Sequence, residues 1–175
     1  MKAFLRKIKI IDSFTMTLPM PQQAFVAKLA AITELGSTRM FVSPFALFSS
    51  RDWAYVGVVT DESFKIQRHG RYLDANGSAV TASGTLTEEN GQVRIETELN
   101  AAYTFLFNAF VIVLPLGIGI AAPIIFPNKE SLLISLLMTI IFGFVSLMFY
   151  FSVRRSVERM KEDLERAFFY LTKDN

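Results

Sequence analysis

Two stretches without a charged residue constrain this chain more than any other feature: Tyr103–Phe126, 24 residues long, and Ser131–Val153, 23 residues long. As helices rising 1.5 Å per residue, each is longer than the roughly 30 Å hydrocarbon core of a bilayer. A chain of 175 residues has too little additional polypeptide to bury two such runs in a soluble core. Pro127 cannot continue a helical hydrogen-bond ladder and Asn128 favours a turn, so Pro127–Glu130 reads as a short connection. The expectation is a two-helix transmembrane hairpin over residues 101–153, with helices at about 103–126 and 131–153.

The distribution of charge sharpens this reading. Residues 1–100 carry 11 Lys/Arg and 10 Asp/Glu, residues 154–175 carry 6 and 5, and residues 101–153 contain only Lys129 and Glu130. Such segregation predicts a soluble domain over 1–100, a lipid-embedded part over 101–153 and a cytoplasmic amphipathic helix and tail over 154–175. Arg154, Arg155, Arg159, Lys161 and Arg166 follow the second run, whereas the connection holds one lysine. Basic residues stay on the cytoplasmic side, which predicts a multi-pass protein of the inner (plasma) membrane with both termini in the cytoplasm. The basic segment Met1–Ile11 is not followed by an apolar run and does not read as a secretory signal.

Within the first apolar run, Pro115, Gly117, Gly119 and Pro123 mark a kink or hinge, or simply the usual tolerance of membrane helices for these residues. Asn108 is its one clearly polar side chain, placed to contact a partner helix or a permeant, or to sit near the interface. Ser135, Thr139 and Gly143 recur at i, i+4 and i+8 in the second run, and Gly117 and Ala121 repeat the spacing in the first. Small residues in this pattern permit close packing within the hairpin or between copies. Beyond it, Val157, Met160, Leu164, Phe168 and Leu171 form one apolar stripe at 3–4 spacing. Arg159–Asp163, Lys161–Glu165 and Glu162–Arg166 are opposite-charge pairs four residues apart. The stripe has three outlets: the N-terminal domain, a second copy, or the membrane surface.

The first 100 residues read as an α+β domain with a mainly antiparallel sheet and one covering helix, in the order β-α-β-β-β-β. Ile8, Ile10, Phe14, Met16 and Leu18 alternate with polar residues as in a strand, interrupted by Asp12. Pro21 opens a helix that buries Phe25, Leu29 and Ile32 and is expected to end at Gly36. Trp53–Thr60 and Ser63–Arg68 read as strands. Val80–Thr87 and Gln92–Leu99 flank Glu88-Glu89-Asn90-Gly91, whose Asn-Gly is a strong hairpin signal, with Val93, Ile95 and Leu99 facing in and Arg94, Glu96 and Glu98 facing out. Met40–Ser50 reads as an extra strand or a membrane-facing loop, and Asp74–Ser78 as an exposed loop.

With this strand-rich N-terminal part, the run from Phe64-Lys65-Ile66 through Gly84-Thr85-Leu86 to the Val93–Leu99 strand, and a helical hairpin directly after it, the chain resembles an uncharacterised group of small bacterial two-helix membrane proteins. The resemblance is one of layout over most of the chain. It implies the same architecture and brings no activity with it.

Composition removes whole classes of chemistry. Without cysteine there is no thiolate nucleophile, disulfide or Cys-ligated metal, and one histidine, His69, makes no imidazole cluster. Asp61-Glu62 and Glu88-Glu89 fall in turns, and no phosphate-binding glycine loop is present. A net charge of +2 gives no field that would recruit nucleic acid. Lys65, Arg68, His69 and Arg71 form a basic cluster; Lys65, Arg68 and Arg71, with Arg154 and Arg155, are expected either to touch lipid headgroups or to solvate a strand edge. The expected function is a membrane-anchored, non-enzymatic interaction or sensing module, without cofactor or metal, partnered by the bilayer and by another protein or a second copy. The alternative is an oligomeric channel or transport component, in which Asn108, Pro115, Gly117 and Gly119 line or hinge a pore.

Overall fold

Alternation of apolar and polar residues builds most of this fold, and one long helix completes it. The structure, a computed structural model, describes residues 1–36, 55–68, 80–125 and 129–173. Elements follow in the order α1 (Lys2–Lys7), β1 (Ile11–Leu18), α2 (Gln22–Ala31), β2 (Thr33–Leu35), β3 (Tyr55–Val59), β4 (Ser63–Arg68), β5 (Thr81–Glu89), β6 (Gln92–Asn100), α3 (Ala102–Ile125) and α4 (Lys129–Lys173). The strands form one six-stranded sheet in the order β1-β6-β5-β4-β3-β2, antiparallel except for the parallel β2–β3 pair. This is an α+β fold with a mixed sheet and a long C-terminal apolar helix. Met40–Ser50, Trp53, His69, Arg71 and Asp74–Ser78 lie outside the described residues.

The β5–β6 hairpin turns on Asn90 (φ 54°) and Gly91 (φ 74°). Two left-handed residues in a two-residue loop match the right-handed twist of the strands they join. Glu89 therefore pairs with Gln92, and the register carries Val93, Ile95, Thr97 and Leu99 into the core. In β1 the predicted even positions face the same way, with Leu18 buried and Phe14 and Met16 packed against the core.

Two expectations need correction, and a third is met in part. The sheet has two covering helices rather than one: α2 and the C-terminal half of α4 supply buried side chains to the same core. Helix α2 stops at Ala31 rather than Gly36, because Thr33–Leu35 leaves the helix to pair with Tyr55–Gly57. Two membrane-crossing helices were expected, whereas among the described residues one helix is long and apolar enough, α4; the described apolar part of α3, Ala102–Gly117, is shorter. The helices themselves fall where the charge-free runs place them, and α4 continues through residue 153 to Lys173.

The short α1 was not anticipated. Ile10 N–H donates to Leu5 O (2.9 Å) and Lys9 N–H to Arg6 O (3.0 Å), with Lys9 at φ 57°. This is a Schellman termination, and buried Leu5 and Ile10 supply the apolar contact that accompanies it. Glycine is the usual residue at the left-handed position, where a Cβ is unfavourable. Lys9→Gly is therefore expected to stabilise the fold by about 1 kcal/mol. Chemical denaturation in detergent would check this, and a lower midpoint for the variant would contradict it.

Candidate functional site

The feature that organises the molecule is the seam where α4 lies on the sheet. Val153, Val157, Met160, Leu164 and Phe168 recur every three or four residues, and all five are buried. Of the three outlets open to this stripe, the structure uses the N-terminal domain. Phe168, fully buried, stands edge-on to Phe25 (5.3 Å, 80°) and Phe64 (5.9 Å, 79°) and is tilted against Phe14 (6.4 Å). Such edge-to-face pairs add to the burial of three other rings around one. Gly84, opposite Phe64 in the ladder, makes the cluster possible, because a Cβ there would overlap the Phe64 ring.

Charged groups border the stripe and join distant parts of the sequence. Lys161 pairs with Asp12 (3.1 Å), the residue that interrupts the apolar face of β1. Arg68 pairs with Asp163 (2.7 Å), and Lys28 Nζ donates to the Leu171 carbonyl (2.7 Å) near the end of α4. A cation at the C-terminal end of a helix complements its dipole. The expected pairs Arg159–Asp163 and Lys161–Glu165 are thus replaced by pairs to the sheet, and Arg154–Glu158 is the four-residue pair that forms. The Arg68 guanidinium is held by Asp163, ten residues and about 15 Å along the helix beyond Val153. Beside this pair, burial pushes the Tyr55 hydroxyl up to about 12; Asp163 adds to the effect and Arg68 opposes it.

Helices α3 and α4 leave the domain at one level. Ala101 N–H donates to Ile10 O (3.1 Å), Tyr150 Oη to Ile8 O (3.2 Å), and Asn100 Oδ1 caps α3 through the Ala102 N–H (2.9 Å). The two helices pack side by side, with Gly119 against Met138. Because both ends at residues 101 and 153 sit on the domain, they run antiparallel. Away from the domain α4 is apolar all round: Leu132, Leu133, Ile134, Leu136, Leu137, Ile140, Phe144 and Met148 are each more than half exposed. Asn108 Nδ2 donates to Thr104 O and Thr139 Oγ1 to Ser135 O, so each makes a bond within its own helix. Pro115, Ser135 and Ala121 are half-buried. Among the described residues, nothing lies within 4 Å of a Cβ added at Gly117 or Gly143.

The opposite face of the sheet is left open by α2 and α4, and α1 reaches its edge through Lys2 and Arg6. Ser13, Glu98, Ser83 and Lys65 form one row across β1, β6, β5 and β4, and Thr15, Glu96, Thr85 and Ser63 the next. They line an open groove of about 680 Å³. Burial disfavours ionisation of Glu98, but hydrogen bonds from Arg6 (2.8 Å) and Lys2 (3.2 Å) outweigh it and draw its carboxyl below the usual range. The groove offers hydroxyls, carboxylates and the exposed Lys65 ammonium, a set suited to hydrogen-bonding a polar partner. Among the described residues no group of three or more His, Asp or Glu side chains is placed to hold a metal ion. Sequence reading missed this groove and α1; the alternation of Ser and Thr along β1 and β5 was the available signal.

No protein-family model, curated protein or solved structure matches the chain.

Phe168→Ala is expected to cost 3–5 kcal/mol, the range for emptying a buried aromatic site. Loss of the cooperative transition in detergent, or its shift to low denaturant, would meet this expectation, and an unchanged midpoint would not. Tyr55 generates a pH test. Its folded value lies above 10, so stability is complete below pH 10 and declines as pH rises towards 12. Absorbance titration should show a phase near pH 12 that is absent in Tyr55→Phe and moves down in Asp163→Asn; an unmoved phase would refute the assignment.

Proposed function

We propose that the chain is a membrane-anchored, non-enzymatic interaction module, in which the sheet domain presents its open polar face at a fixed height and angle above the bilayer. The observation that carries this reading is the continuity of α4. One 45-residue helix, roughly 67 Å long, has an apolar first half and a C-terminal half that fills the core of the sheet domain. No hinge of loop residues separates anchor from domain, so orientation of the domain follows orientation of the helix.

In this reading α3 is the second crossing, antiparallel to α4, and both chain ends are cytoplasmic. Two arguments support the orientation. Arg154 and Arg155 follow Val153 directly, and the hydrogen bonds of Ile8 and Ile10 bring Lys7 and Lys9 to the level at which α3 begins. Basic residues thus gather at the domain end of both helices, against Lys129 at the other. The docking face is the Ser/Thr row around Lys65 and Thr85, because the remaining sheet face is covered by α2 and α4. The channel alternative has weaker support, since the Asn108 amide spends one of its N–H donors on its own helix.

The absence of cysteine makes the test simple. Single cysteines at Lys173 and Glu89 should resist a membrane-impermeant maleimide in intact cells, while Lys129→Cys should react. Labelling at 173 from outside would overturn the orientation. For the docking face, a species co-purifying from native membranes should be lost when Lys65→Glu and Thr85→Arg are combined; retention would remove that face from the interaction.

A further inference from the structure

The first nine residues end in a turn that glycine would complete with less strain, and lysine occupies the position. Lys9 and its neighbour Lys7 are exposed, and neither forms an ion pair among the described residues. Lys2 and Arg6 differ from them, since both are held by Glu98. On the same short helix Phe4 is 60% exposed, although burying a phenylalanine is ordinarily favourable. Two free ammonium groups and an exposed ring thus sit on one short segment whose backbone is otherwise tightly fixed.

That segment is fixed at one height. Leu5 O accepts from Ile10, Ile10 O accepts from Ala101 at the foot of α3, and Ile8 O accepts from Tyr150 in the last apolar turn of α4. Tyr103, 63% exposed, occupies the first turn of α3, and Arg154 and Arg155 follow the buried Val153. Aromatic rings and long basic side chains at the ends of crossing helices are the groups that settle at the headgroup layer.

We propose that Lys7, Lys9 and Phe4 form a seat for anionic lipid headgroups, with the two ammonium groups on phosphate oxygens and the Phe4 ring in the interfacial layer beside Tyr103. The inference rests on the reading that α4 crosses the bilayer, and it adds the lipid class that the domain recognises. An acidic protein or nucleic acid fits less well, because the site lies where α3 and α4 leave the domain, the headgroup layer of that reading. It also moves the lipid contact from Lys65 and Arg68 to the N-terminal segment. The strained backbone at Lys9 has a reason, because glycine would fold better there but carries no charge.

The test uses the full chain with one nitroxide attached at Ala3→Cys, reconstituted into bilayers of phosphatidylcholine with or without phosphatidylglycerol. Accessibility to a water-soluble nickel complex is compared with labels at 89, on the far hairpin, at 103 and at 137. In anionic bilayers position 3 should fall to the level of 103 while 89 stays open, and in phosphatidylcholine alone position 3 should open. Lys7→Gln with Lys9→Gly, a pair chosen to preserve the fold, should reopen it in anionic bilayers. The expected loss is roughly 30-fold in the ratio of seated to unseated states, from two basic residues at an anionic surface. Equal accessibility at 3 and 89 in anionic bilayers, protection indifferent to phosphatidylglycerol, or protection surviving the double substitution would each overturn the seat. If position 137 is open to nickel, the membrane reading itself fails with it; if 137 is closed and 3 is open, only the seat fails.

Discussion

Everything in this structure depends on one stripe of side chains, Val153, Val157, Met160, Leu164 and Phe168, being shared between a helix and a sheet. The buried apolar residues of the sheet lie mainly on one face, and a single short helix, α2, cannot cover six strands. The C-terminal half of α4 supplies the missing cover. Its central contact is Phe168 among Phe14, Phe25 and Phe64, which draws β1, α2 and β4 to one point. The peripheral ion pairs Asp12–Lys161 and Arg68–Asp163 set the register of the helix on the sheet; being part-exposed, each contributes at most about 1 kcal/mol.

The same helix has an opposite requirement at its other end. From Leu132 to Met148 its large apolar side chains are exposed, which water would penalise and lipid would not. Joining the two requirements in one uninterrupted helix fixes the geometry of the molecule. A linker would let the domain wander. Here, any tilt of α4 is transmitted to the sheet, and any force on the sheet acts on the apolar end through a rod of regular hydrogen bonds. An interaction module gains from this, because ordering its docking face requires no loss of linker entropy on binding.

Much of this was legible from residue order, and the exceptions have physical causes. Asn90-Gly91 specifies its hairpin because few other pairs accept two left-handed residues. Alternation in β6 and the 3–4 spacing of the tail identify their buried faces, since burial imposes those periods. The destination of the tail stripe was not legible: periodicity names the buried face of a helix but not what buries it. Asp12 and Arg68 show the same limit, since partners four residues apart are visible in sequence and partners across the fold are not. The three-residue β2 is too short to show a period, and α1 ends at a lysine where glycine would have announced the turn. For the candidate site, the hydroxyl rows were present as alternating Ser and Thr, but only strand order places four of those strands side by side.

The most direct test of the shared stripe is the folding of residues 1–100 alone, followed by circular dichroism and amide exchange with and without a peptide of residues 153–173. The stripe account expects no cooperative transition and little exchange protection in the isolated segment, with both restored when the peptide is added and neither restored by a peptide carrying Phe168→Ala and Leu164→Ala. A segment 1–100 that unfolds cooperatively by itself, at a midpoint indifferent to the peptide, would contradict it.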